Sequence, residues 1–93
     1  MLYIFNKTDQ EAVRQFAVIS ADDDEKSVLF ISDAVFLASS ARLECFDDLE
    51  VDSFYAAKDA VEARAIELSD DVEVVDYKDM VGLLDDYDKI ITL

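Results

Sequence analysis

Apolar positions along this chain gather in short runs, and between the runs they recur at the spacing of a helix. Leu2–Phe5 is the first run and reads as a strand. Thr8-Asp9-Gln10-Glu11 then has the spacing of a capping box, with Thr8 as N-cap and Glu11 reaching back. Ala12, Val13, Phe16 and Ala17 follow on one helical face, with Ser20 one turn on. Asp22-Asp23-Asp24-Glu25 ends that helix by like-charge repulsion and poor helix propensity, and a solvated turn is expected there. A calcium loop would need alternating ligands, a central glycine and a distal glutamate, which this run lacks.

Val28–Ile31 is continuously apolar, as expected of a strand covered on both faces. Ser32 or Asp33 can cap a following helix whose face carries Val35 and Phe36, with Ser39 and Ser40 beyond. Arg42–Glu50 reads equally as an extension of that helix or as a loop. Val51–Ala57 is the third strand. Asp59-Ala60-Val61-Glu62 again has capping spacing and opens a short helix bearing Arg64 and Ile66. Val72–Asp76 is a fourth strand, Lys78–Asp86 a helix burying Met80, Val81, Leu83 and Leu84, and Lys89–Leu93 a final strand.

Strand–helix alternation with short links implies a mostly parallel sheet of four or five strands wrapped by right-handed crossovers, a three-layer α/β/α sandwich. The chain has no proline and one glycine, Gly82, inside the last predicted helix. No linker, repeat or low-complexity segment divides residues 1–93, so one domain is expected. The four Tyr and six Phe, with 53% hydrophobic residues, supply a real core. A disordered acidic segment would lack them.

Charge narrows the partners. The net charge is −15, from 23 acids against 8 bases, with no histidine. A field of that sign repels phosphate, so direct nucleic-acid binding is not expected. Three readings of the acidity stay open: colloidal repulsion, adaptation to high intracellular salt, and a basic partner surface. No apolar run approaches the ~20 residues of a membrane helix. The apolar start Met1–Phe5 is too short for a signal-peptide core and has no basic stretch before it. A cytoplasmic protein is the expectation.

The chemistry is defined largely by absences. No Gly-rich turn follows the first strand, so neither a dinucleotide fingerprint nor a P-loop exists and no cofactor is expected. One cysteine without histidine excludes an intramolecular disulfide and a Cys/His zinc site, and no metal is expected. Without histidine no Ser–His or Cys–His pair can form. Cys45 is the only nucleophile able to carry sulfur as a persulfide. Its neighbours Glu44, Asp47 and Asp48 raise a thiol pKa, and only Arg42 opposes them. Arg64 follows the third strand, near the carboxyl edge where sites of parallel sheets gather. Alternatively it pairs with Asp59 or Glu67 on its own helix.

The order of segments resembles the TusB/DsrH family along almost the whole chain. The stretches that carry the resemblance are Met1-Leu2-Tyr3-Ile4-Phe5-Asn6-Lys7, Val28-Leu29-Phe30-Ile31-Ser32-Asp33-Ala34-Val35, Tyr55-Ala56-Ala57-Lys58-Asp59 with Ala63-Arg64-Ala65, and Val74-Val75-Asp76-Tyr77-Lys78-Asp79-Met80-Val81. The resemblance implies a DsrEFH-like fold and a role in passing persulfide sulfur between carrier proteins, ending in tRNA wobble 2-thiouridine or in dissimilatory sulfur metabolism. It implies assembly with TusC/DsrF-like and TusD/DsrE-like subunits into a heterohexamer, with the carrier cysteine on the TusD/DsrE-like partner. Asp33, Arg64, Asp76 and Tyr77 are then the candidate binding residues at the sheet edge. Family members commonly have glycine where this chain has Ala34 and Ala65. Some carry a cysteine in the first helix, where this chain has none.

The resemblance leaves three roles to separate: a non-catalytic subunit of a heteromer, a stand-alone homo-oligomer, and a sulfur carrier using Cys45. The hydrophobic content exceeds what one thin three-layer core readily hides, so an interface is expected at the sheet edge and around Phe36 and Phe46. At −15 the folded chain also repels itself, and salt screens that repulsion. The melting temperature is therefore expected to rise from low salt to molar KCl. A flat or falling curve would contradict the electrostatic account.

Overall fold

The computed structural model describes residues 1–93. Strands β1 (Leu2–Phe5), β2 (Ser27–Phe30), β3 (Ser53–Ala57), β4 (Val72–Val75) and β5 (Ile90–Thr92) alternate with helices α1 (Gln10–Ile19), α2 (Lys58–Arg64) and α3 (Tyr77–Asp85). Two 3₁₀ segments, Ser32–Ala38 and Leu43–Leu49, join β2 to β3. All five strands are parallel, in the order β4-β3-β2-β1-β5. The chain thus steps outward from β1 to β4, then crosses the sheet to add β5 on the other side of β1. Right-handed crossovers put the connections on opposite faces for opposite directions of travel. Accordingly α1, the 3₁₀ segments and α2 cover one face, and α3 alone covers the other.

The two faces are packed very unequally. On the well-covered face lies a core of fifteen buried residues that includes Tyr3, Phe5, Phe16, Val28, Phe30, Val35 and Phe46. On the α3 face only Leu2, Leu29 and Val75 are fully buried together, with Met80, Leu83, Leu84 and Tyr87 packed partly over them. The expectation that Met80, Val81, Leu83 and Leu84 are buried is corrected here. No residue of α3 is buried, and Val81 is 42% exposed. A lone helix on a sheet has no neighbour to cover its flanks.

Phe46, expected at an interface, belongs to the core instead. It is 1% exposed and meets Phe5, Phe16, Phe30 and Phe54 at ring-centroid distances of 5.5, 5.7, 5.6 and 5.7 Å. All four contacts are edge-on, the arrangement aromatic quadrupoles favour. The 3₁₀ turn explains the placement. With three residues per turn, Leu43, Phe46 and Leu49 stack on one face, a period of three that an α-helical reading misses. The same geometry buries Val35 and Ala38 while turning Phe36 outward, 39% exposed.

Helix starts differ from expectation by a residue or so. Asp9, not Thr8, caps α1, its carboxylate accepting from the Glu11 N–H at 2.9 Å. Helix α2 begins at Lys58 with no side-chain cap, and Asp59 accepts from the Ala60 N–H. Asp22–Glu25 is the expected turn, and its Asp23 accepts a hydrogen bond from the Tyr3 hydroxyl at 3.1 Å. Lys26 is buried and donates to the Leu49 carbonyl at 2.8 Å, while its backbone N–H donates to Asp52. The start of β2 is thereby tied to the segment leading into β3.

Burial, reinforced by the Asp23 carboxylate, pushes the Tyr3 phenol up to about 12. The fold favours the protonated phenol over its unfolded value of 10. Its contribution is therefore complete below pH 10 and lost as pH climbs through 12. In an alkaline titration followed by phenolate absorbance, one tyrosine should ionise only near pH 12, with unfolding in the same window. A titration in which no phenol ionises that late and no structure is lost would contradict this.

Candidate functional site

The carboxyl ends of β2, β3 and β4 gather the four residues singled out at this edge. Ser32 follows β2 with φ 52°, a left-handed conformation that few non-glycine residues adopt. The bend carries Asp33 toward α2, where its Oδ1 accepts from Arg64 Nη2 at 2.9 Å and Nε at 3.1 Å. Arg64 Nη1 also donates to the Ala60 carbonyl at 3.3 Å. The partner of Arg64 is therefore Asp33 on another segment, and neither Asp59 nor Glu67. The bond to the Ala60 carbonyl turns the guanidinium back along α2.

Beside this pair is a cavity of about 400 Å³ with an apolar lining of Ile31, Ala57, Ala60 and Met80. A second hollow of about 200 Å³ adjoins it, sharing Asp59 and Met80 and reaching Asp76 and Tyr77. Asp76 is committed to the backbone, capping α3 by accepting from the Asp79 N–H at 2.8 Å. Tyr77 is 78% exposed at the rim. The edge thus brings together a neutralised ion pair, a capping carboxylate, a free phenol and an apolar floor. It can hold and orient an extended group against that floor.

Cys45 lies elsewhere. It is exposed on the second 3₁₀ segment, in a cavity of about 660 Å³ between that segment and α1, lined also by Arg14, Arg42 and Asp47. This cavity shares no lining residue with the one beside Arg64. Partial burial pushes the thiol up; Arg42 pulls it down, while Asp47 and Glu44 push it further up. The thiol is thus protonated at neutral pH, the wrong state for attack on a sulfur donor. No group of three Cys, Asp or Glu side chains is arranged to hold a metal ion.

The family model for DsrH-like proteins matches residues 8–90 of the chain. The chain belongs to the DsrH-like family. Members of this family are parts of multi-subunit sulfur-relay complexes, so membership supports a role related to sulfur relay. No curated protein matches the chain. No helix is long and apolar enough to cross a membrane.

Two features at the edge escape a motif reading. Met80 packs against both cores and floors both hollows, yet in sequence it is one apolar residue among several. Ala65 ends α2 at φ 49°, where glycine is favoured because a Cβ crowds the backbone. The glycine common at this position in the resembled family is the signal that could have found it. Ala34, the other such position, has no positive φ and is simply buried. Ala65→Gly should therefore raise stability by about 0.5–1 kcal/mol in urea unfolding, the relieved strain exceeding the added unfolded-state freedom. Arg64→Met should cost under about 1 kcal/mol, since water screens the exposed Asp33. A destabilised glycine variant would show that the left-handed cap carries no strain.

Proposed function

We propose that this chain is a non-catalytic subunit of a cytoplasmic persulfide-relay complex, a single-domain partner that works through its surfaces. Family membership supports the sulfur-relay setting, and the state of Cys45 supports the non-catalytic role. The only thiol in the chain is held protonated, is flanked by carboxylates and lines a cavity that shares no residue with the edge, which supports a carrier cysteine on another subunit. The partners are TusC/DsrF-like and TusD/DsrE-like subunits. The acceptor chemistry is tRNA wobble thiolation or dissimilatory sulfur oxidation. In such a complex the carboxyl edge with Asp33, Arg64, Asp76 and Tyr77 serves to position a neighbouring carrier segment over the apolar floor of Met80 and Ala57.

The test is purification of the tagged chain from its native host, then sulfur transfer from a labelled persulfide donor. Homologous subunits should co-purify, and label should appear on a partner. Cys45→Ser should assemble and support transfer like the wild type. A clean monomer with no homologous partner would sink the subunit reading. Loss of transfer by the serine variant with assembly intact would make Cys45 the carrier.

A further inference from the structure

We propose that the groove between α3 and the edge strand β4 docks a partner segment carrying basic side chains around an apolar anchor. This deepens the subunit reading and rests on it for the existence of a partner. The groove follows from the uneven coverage of the sheet. One helix about 10 Å wide cannot cover five strands that span roughly 19 Å from first to last. A depression of about 590 Å³ remains on the β4 side, with Tyr55, Val75 and Leu83 as its apolar floor. The outer edge of β4 pairs with no strand.

Gly82 is the second observation. The only glycine in the chain lies in the interior of α3 and lines this groove. Glycine is among the poorest helix formers. The fold does not require it, since it has no positive φ and an added Cβ would meet nothing within 4 Å. A bare backbone at this place serves whatever approaches α3 from outside, by letting it come close.

Charge decides the occupant. Around the groove Glu73, Asp79 and Asp86 stand against Lys78 alone. Asp85 and Asp86 also sit at the negative end of the α3 dipole, with no base in the last turn, an arrangement that disfavours the isolated helix. A basic rim on a partner relieves both. A second copy of this chain has no net-basic rim to offer. Arg14 and Arg42 share the Cys45 cavity, but Glu44, Asp47 and Asp48 line it with them. Lys26 is buried on the Leu49 carbonyl, Arg64 pairs with Asp33, Lys7, Lys58 and Lys89 lie on three separate segments, and Lys78 is already in the groove. The occupant is therefore a different, basic chain.

The full chain, isotope-labelled, can be titrated with a synthetic amphipathic Leu/Lys helical peptide, using a Leu/Glu peptide of the same pattern as control. The Leu/Lys peptide should shift the amide signals of Gly82, Leu83 and Glu73. Its affinity should fall tenfold or more in Gly82→Leu and in the double variant Glu73→Gln, Asp79→Asn. The Leu/Glu peptide should not bind. Gly82→Ala, melting no lower than wild type, confirms that the helix tolerates a side chain. Shifts centred on Asp22–Glu25, wild-type affinity in Gly82→Leu, or groove shifts on concentrating the chain without peptide would each overturn the proposal. The host complex separates the two readings. Gly82→Leu assembling as well as wild type sinks the groove and spares the relay role. Peptide binding at the groove with no host complex does the reverse.

Discussion

Phe46 meets Phe5, Phe16, Phe30 and Phe54, and the remaining layout depends on that cluster. These rings come from β1, α1, β2, the second 3₁₀ segment and β3, so one packed nucleus joins five of the first six segments on one sheet face. Removing a buried phenylalanine from such a site costs about 3–5 kcal/mol, a large share of the stability of a domain this size. The irregular link between β2 and β3 is held by the same cluster. Its 3₁₀ turns are too short to be stable alone and persist because Leu43 and Phe46 anchor them.

Concentrating the large aromatics on one face leaves the other thin. Helix α3 covers Leu2, Leu29 and Val75 but buries none of its own residues. Much of the apolar surface that remains unburied is therefore beside α3 and at the sheet edges. The strong acidity opposes contact with a second copy and favours contact with a basic one. Uneven packing and one-signed charge are in keeping with membership of a family of multi-subunit relays.

The candidate edge has the same character. Arg64, the one base there held in a fixed pair, is neutralised by Asp33, and Asp76 is engaged in capping α3. Both carboxylates stabilise local geometry. The left-handed residues Ser32 and Ala65 shape the same edge, one at each end of the Asp33–Arg64 pairing. Such an arrangement can position a neighbouring group.

The order of the five strands and of α1, α2 and α3 was determined by the sequence alone, because apolar runs and a period of 3.6 are local properties of the chain. So were the lack of nucleotide motifs, the isolation of Cys45 among acids, and the gathering of Asp33, Arg64, Asp76 and Tyr77 at strand ends, which parallel topology dictates. Only the tertiary structure decided three things. The choice of Asp33 over Asp59 or Glu67 as the partner of Arg64 depends on where two distant segments meet. The burial of Phe46 depends on a 3₁₀ turn whose period of three is stable only against the aromatic core. The exposure of Val81 and the open flank at Gly82 depend on how many helices share a face, and that number follows from the direction in which each crossover travels along the sheet.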